Sequence, residues 1–485
     1  MGVLVVGGGI TGLVAARALA RDGIPVLLAE AGPRLGGKIS TARVDGLTIE
    51  EGPDSFLATR PAGTALVREL GLGDELIGTA GTRTVYIRHR GRLVPMPEGL
   101  GLVLPTKALP FARTRLFSWP EKVRMALDVV SPRSMPAGDI AVGVYLRGRL
   151  GNPLVERLAG PLVGGVYGTP IDELSLDAVV PTLRVAEHEH RSLLLAGLAD
   201  GRKLRAAAAR RAAANPGVKP LGAFVTLRGG LDGLPAAVES SARSAGADLR
   251  TGLGVRSLAR VGAGVTAEFG DGSRARFDGV VIATPANAAA VLLREPLPGA
   301  ARALDGIPHG TSVLVTLAYR REQVAHDLSG HGYLVPQSEG GPIAACTWSS
   351  QKWAGRAPAG TVLLRMFVRD EGPSTSLPGP ALVAAARADA ERTLGISGVP
   401  TMVRTARYEG AMPRYTVGHL DRVAAVEAAM AAWPEVTLAG ASYRGVGLPD
   451  CIAQGQAAAA RVAERLATGE GPGEPSIAPA VAALA

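Results

Sequence analysis

Gly7-Gly8-Gly9-Ile10-Thr11-Gly12 follows directly on the apolar run Val3-Leu4-Val5-Val6 and opens a segment of helical spacing from Leu13 to Arg21. A short apolar run without alternation is what a strand buried on both faces of a parallel sheet requires. The glycines divide the steric demands among them. Gly7 permits the tight turn, Gly9 lets the backbone approach a pyrophosphate, and Gly12 lets helix and strand pack closely. The helix N-terminus then presents free N–H groups to the phosphates. Gly23 ends the helix, and Ile24 to Ala29 reads as a second strand closing on Glu30, 18 residues beyond Gly12. A carboxylate there accepts hydrogen bonds from ribose hydroxyls, whereas an NADP site tends to place Arg. Alone the glycine pattern is weak; with strand, helix, strand and acid in order it predicts a βαβ dinucleotide unit.

Further buried-type strands begin near residues 280 and 436, so the spacing predicts one nucleotide-binding domain assembled from separated pieces, 1–50, 217–288 and 432–468. Arg250 to Phe277 carries strand chemistry with a hairpin turn at Gly270-Asp271-Gly272. Val313 to Tyr319 and Val362 to Val368 read as strands of a second sheet, in a substrate domain built from 51–96, 192–216 and 289–431. Pro97 to Arg191 reads as helical without a strong strand, a subdomain suited to contact with a membrane surface. Lys203 to Ala214 is a basic Ala/Arg helix, and a last helix runs from Pro449 to Leu466. The tail 469–485, rich in Gly, Pro and Ala, is expected to be disordered. The fold class is therefore α/β, a discontinuous Rossmann-type domain carrying an inserted α+β domain and a mainly helical subdomain.

Composition removes several function classes. Cys346 and Cys451, the only cysteines among 485 residues, form no CxxC and supply neither a disulfide framework nor zinc or iron–sulfur ligands. That suits a reducing, cytoplasmic compartment. No stretch reaches the roughly 18 apolar residues of a membrane span, and the longest candidate, Gly279 to Leu293, is interrupted by Pro285 and Asn287. Val3 to Val6 lacks the basic flank of a signal peptide. Net charge is +9, with only six lysines, so arginine carries the excess. A GC-rich genome explains that excess, and an acidic ligand is the functional alternative. Basic residues are spread without aromatic interleaving, which argues against nucleic acid.

Gly32 to Lys38 approaches a Walker A pattern but places Ile39 where Mg²⁺ binding needs Ser or Thr, and it follows a second strand rather than a first; a P-loop is rejected. His188 and His190, two apart on a helix, diverge, and no metal site is expected. What the segment does match is Glu30-x-x-x-Arg34-x-Gly36-Gly37-Lys38, which resembles the FAD-dependent amine-oxidase-like superfamily. Glu51-Gly52-Pro53-Asp54-Ser55-Phe56, Arg191-Ser192-Leu193, Ala345-Cys346-Thr347-Trp348, Met412-Pro413-x-Tyr415-x-Val417-Gly418-His419 and the run Leu438 to Ile452 narrow the match. Over residues 1 to about 466 the chain resembles the bacterial protoporphyrinogen/coproporphyrinogen oxidase family of heme synthesis.

The resemblance implies FAD, held by Gly7, Gly8, Gly9, Ile10, Thr11, Gly12, Glu30, Ala31, Arg34, Gly37 and Lys38. It adds Gly52, Pro53, Asp54 and Ser55 near the flavin, the Val255 backbone at the adenine, and Gly440, Val446, Gly447 and Leu448 at the ring. Arg34 is suited to neutralise pyrophosphate charge. Pro449 suits the first turn of a helix, whose positive end then stabilises negative charge on the reduced flavin. For the macrocycle the resemblance suggests Tyr167, Leu334, Trp348 and Met366, with Arg60, Arg407 and Arg414 as propionate contacts.

The implied reaction is oxidation of a porphyrinogen by O₂ with H₂O₂ as co-product. The flavin carries that chemistry, so no dedicated acid–base pair is expected. Coproporphyrinogen III, with four carboxylates, fits the arginine excess better than protoporphyrinogen IX, with two. Rival readings are an amine oxidase or desaturase on the same fold and a flavin-free binding protein. Oligomeric state is open at this level.

Overall fold

Val3–Val6 and Gly279–Ile282 are buried along their whole length, as their unbroken apolar character requires. They lie side by side at the centre of a parallel sheet whose order is Asp248–Arg250, Val26–Ala29, Val3–Val6, Gly279–Ile282, Val436–Leu438. Helices Ile10–Arg21, Gly233–Ser244 and Leu448–Thr468 bury Leu13, Leu19, Val238, Ile452 and Val462 in the core of one face. The other face is covered by the antiparallel strands Val255–Val261, Gly264–Phe269 and Arg274–Phe277, with helices Ala286–Leu293, Pro298–Asp305 and His419–Met430. The expected hairpin turn is present: Gly272, at φ +85°, donates its N–H to the Phe269 carbonyl at 3.0 Å.

This computed structural model describes residues 2–101, 103–214, 221–370 and 372–468. The tail expected to be disordered lies outside the described residues. The fold is mixed α/β, and the chain packs as two units: the first takes the chain up to Gly78, Gly222–His309 and the chain from His419; the second takes Thr79–Leu221 and Gly310–Gly418.

The second unit is built on a seven-stranded sheet in the order Met402–Pro413, His309–Arg320, Thr361–Val368, Ile343–Trp348, Gly332–Leu334, Val85–His89, Arg92–Pro95. Helix Gly379–Leu394 seals one face, packing Leu382, Ala386 and Ala390 on Tyr319, Tyr333, Cys346, Trp348 and Met366. Between residues 97 and 191 the only strands among the described residues are the two-residue pair Leu100–Gly101 and Leu104–Pro105. Val155–Gly164 is wound as a π-helix around Pro161, whose missing N–H keeps it out of an α ladder.

The helix expected from Lys203 begins at Leu193 instead, and a buried ionic network explains why. Ser192 donates its hydroxyl to Asp128 at 2.7 Å, and the Leu194 N–H reaches the same carboxylate oxygen at 3.0 Å. Arg149 donates to the other oxygen at 2.7 Å and to the Arg191 carbonyl at 2.6 Å. The triplet Arg191-Ser192-Leu193 is thus a helix junction, with Arg191 at φ +61°. Among the described residues no helix is long and apolar enough to cross a membrane.

Candidate functional site

The glycine loop leaves the central strand at Gly7, which takes φ +103°. A Cβ at Gly12 would stand 2.0 Å from the Gly7 carbonyl oxygen, so helix and turn touch backbone to backbone. Gly9 behaves differently: it caps the first helix with extended backbone and no side-chain cap, and a Cβ added there meets nothing within 4 Å. The first-turn amides of a helix have no intrahelical acceptor. They therefore face open space into which an anion fits and a valine side chain would intrude.

Glu30 is bound into this loop. Its carboxylate accepts the Gly8 N–H at 2.6 Å and the Gly32 N–H at 2.7 Å, one on each oxygen. An ionised carboxylate has about four acceptor sites, so capacity for ribose hydroxyls remains. Backbone bonds from Leu253 N–H to the Glu30 carbonyl (2.9 Å) and Gly252 N–H to the Gly32 carbonyl (2.8 Å) set Gly254, the residue before Val255, against Ala31, whose Cβ a Cβ there would meet at 3.3 Å.

Arg34 has a role that sequence reasoning missed. Its guanidinium donates to the carbonyls of Gly37 at 2.6 Å, Ile39 at 3.1 Å and Leu35 at 3.2 Å, folding its own loop. That loop is pinned to the glycine turn by the Gly36 N–H on the Gly8 carbonyl at 2.8 Å. Gly37, at φ +58°, approaches so closely that its Cβ would lie 3.0 Å from the Gly9 Cα. Lys38 follows; burial lowers its ammonium pKa, opposed by the nearby Cys451 thiol. Gly52 packs on the Lys38 carbonyl, which a Cβ would meet at 1.7 Å. Two residues on, Asp54 accepts the Ser55 hydroxyl at 2.8 Å.

The loop before the last helix closes the same site. Gly440, at φ +131°, lies beside Thr11, whose Oγ1 a Cβ would meet at 3.9 Å. Cys451 donates its N–H to the Gly447 carbonyl at 3.0 Å in the first turn of the last helix. Burial pushes its thiol up to about 11, against the opposing pull of Lys38. A Cβ at Gly455 would lie 2.4 Å from the Thr11 carbonyl oxygen, so the last helix crosses the first at backbone contact. Arg444 holds the loop through Glu427 at 2.8 and 3.0 Å. His309 and Ser442, 3.2 Å apart, also belong here; burial lowers the His309 pKa and Lys38 adds to the effect. A lone His and Ser far apart in sequence offered no signal.

Several substrate candidates sit elsewhere than expected. Trp348 and Met366 are completely buried in the core beneath helix Gly379–Leu394 and offer no surface to a ligand. The Trp348 ring instead packs against His326 and Tyr86, with centroids 5.0 and 5.7 Å away. Leu334 pairs with Ala345 and lies on the opposite face of the sheet, because Tyr333, one residue earlier, shares a face with Cys346. The Tyr167 ring packs on Tyr415 at 5.8 Å. Arg60 pairs with Asp450, Arg407 with Glu409 at 2.9 Å and Arg414 with Asp370 at 2.8 Å, so each candidate arginine already has an acid. Among the described residues no three His, Cys, Asp or Glu side chains are grouped to hold a metal.

The geometry of the first unit thus fits a dinucleotide: an open helix N-terminus at Gly9, an acid at Glu30, and a buried lysine between two glycine loops. Comparisons with known proteins agree. Residues 10–463 match the family described as flavin containing amine oxidoreductase. The coproporphyrinogen III oxidase of Propionibacterium freudenreichii subsp. freudenreichii is 43% identical, covering 95% of this chain and 90% of its own. That of Bacillus subtilis (strain 168) is 36% identical, covering 94% and 96%. A crystal structure from Exiguobacterium sp. 255-15, provisionally assigned as a protoporphyrinogen oxidase, matches with a TM-score of 0.82 at 32% identity, covering 96% of this chain and 99% of that one.

Proposed function

Because the chain belongs to the flavin-containing amine oxidoreductase family and is an FAD-dependent oxidoreductase, we propose that its reaction is the oxidation of coproporphyrinogen III to coproporphyrin III in heme biosynthesis. The observation that carries this reading is the 43% identity with a coproporphyrinogen III oxidase over 95% of the chain. Held by the glycine loop, Glu30 and Lys38, FAD would supply two-electron acceptance and reoxidation by O₂, so a six-electron oxidation would consume three O₂ and yield three H₂O₂.

The first unit is the FAD-binding domain in this reading. Ile10 to Gly12 cradle the pyrophosphate with backbone N–H groups, Glu30 accepts from ribose, and Lys38 adds positive charge. Val255 meets the adenine by its backbone, and Gly52 to Ser55 with Gly440 and Val446 to Leu448 border the ring system. Arg34 acts by shaping the loop that carries Gly37 and Lys38. In the second unit Leu334 and Tyr167, the partly exposed macrocycle candidates, are the contacts to substrate; Arg60 reaches a propionate only by leaving Asp450.

Two finer points belong to the proposal. Protoporphyrinogen IX is the second reading, supported by the description of the Exiguobacterium protein, but at 32% identity rather than 43%. The enzyme works in the cytoplasm and rests on anionic lipid through helix Trp119–Ala126. Trp119 and Val123 share one side of that helix, Leu127 follows in the 3-10 turn Leu127–Val129, and the three are 71%, 60% and 50% exposed. Arg113, Arg115 and Arg124 are exposed around them, while Glu121 is drawn to Arg157 at 2.8 Å. Co-sedimentation with anionic but not zwitterionic vesicles, lost in Trp119→Glu, tests that contact.

The central proposal is tested by the absorbance of the purified protein. A flavin spectrum that bleaches on anaerobic addition of coproporphyrinogen III and returns with air supports it. A colourless protein that releases no flavin on denaturation contradicts it.

A further inference from the structure

Asp450 lies in the first turn of the last helix, and its carboxylate accepts a backbone bond from Gly447. Gly445 and Gly447 fold around it so closely that a Cβ on either would come within 2.6 and 2.9 Å of the carboxylate. Gly445 takes φ +120°, a conformation open to glycine. Arg60, immediately before helix Pro61–Glu69, donates Nη1 to Asp450 Oδ1, and its Nε is buried without a partner. Both side chains are largely buried, at 21% and 11% exposure.

A helix N-terminus is equivalent to about +0.5 charge. A carboxylate in its first turn more than cancels that, leaving the end net negative. Adding the guanidinium returns the sum to positive. We infer that the Arg60–Asp450 pair is a positioning and charge-balancing device: Asp450 shapes the Gly445–Leu448 loop, and Arg60 removes the negative charge that this shaping would otherwise impose on the flavin. This rests on the reading that Val446 to Leu448 border the ring. Burial raises the Asp450 carboxyl, and Arg60 and the Gly447 N–H oppose that rise.

The consequence is electrochemical. Reduction of the flavin by two electrons from the porphyrinogen, with uptake of one proton, adds one negative charge, and O₂ takes the electrons away again. An unbalanced carboxylate disfavours the added charge, and an unbalanced guanidinium favours it.

The experiment is the midpoint potential of the holoenzyme's flavin, measured at alkaline pH so that Asp450 is ionised. Arg60→Met should shift it negative, Asp450→Asn should shift it positive, and the double variant should return toward the parent. Arg60→Lys, which keeps the charge, should stay near the parent even if Arg60→Met binds FAD poorly. Val446→Trp reports the loop's position separately, since an indole beside the ring quenches flavin fluorescence. Unchanged potentials with quenching in Val446→Trp would overturn the pair's role alone. Unchanged fluorescence in Val446→Trp would overturn the placement of the flavin, and the inference with it.

Discussion

The Gly8 N–H donates to the Glu30 carboxylate at 2.6 Å, tying the tip of the glycine loop to the end of the second strand. With the Gly32 bond at 2.7 Å, the acid ties two loops together. Bonds to a charged acceptor contribute about 1.5–3 kcal/mol each. Glu30→Ala should therefore lower the melting temperature of the FAD-free protein as well as weaken FAD binding, with Glu30→Gln intermediate. An acid serving ribose alone would leave the FAD-free melt unchanged.

Gly9 and Gly12 separate ligand space from packing space. A Cβ at Gly9 meets no heavy atom within 4 Å, so Gly9→Val should give a folded chain that binds no FAD. Gly12→Ala forces a Cβ onto the Gly7 carbonyl at 2.0 Å and should impair folding itself. Circular dichroism with flavin stoichiometry distinguishes them; full flavin content in Gly9→Val would remove the pyrophosphate from that helix end.

With Lys38 beside the pyrophosphate, as proposed, FAD affinity should depend on pH. Burial places the ammonium's pKa below its usual 10.5 in the free protein, and a bound pyrophosphate raises it again. Affinity should be flat at low pH and fall as pH rises from the free-protein pKa toward that of the complex. The free protein gains stability over the part of that range below 10.5, because there the unfolded chain holds the proton more tightly. Titrating FAD by fluorescence across pH checks the slope, and Lys38→Met should abolish it and bind weakly throughout.

Trp348 and Met366 should behave as core. Trp348→Ala is expected to cost about 3–5 kcal/mol and Met366→Ala about 2–5 kcal/mol of stability, read as a lower urea midpoint, with KM nearly unchanged at temperatures where the variants stay folded. Leu334→Ala should show the opposite balance.

These contrasts mark what the sequence made legible. Val3–Val6 and the glycine turn were readable because period, turn chemistry and a following acid are all local. The last helix was readable from Pro449 and its alanine-rich spacing. The face on which Trp348 points was not, because it depends on the register of Ile343–Trp348 against Thr361–Val368, and that register leaves no local trace. Arg34 reads from sequence as a pyrophosphate partner and Arg60 as a propionate contact; their protein partners, the carbonyls of Leu35, Gly37 and Ile39 for one and Asp450 for the other, are set by loop conformation and by contact across 390 residues. Cys451 and His309 were not legible as neighbours of Lys38; tertiary packing sets both within its electrostatic reach, with Ser442 beside His309.

The most direct test is kcat/KM for coproporphyrinogen III and protoporphyrinogen IX, measured at low and moderate salt. Clear preference for coproporphyrinogen III is predicted, with its KM rising as salt screens exposed charge over about 10 Å at 0.1 M. A preference for protoporphyrinogen IX at both salt concentrations would contradict the proposed substrate.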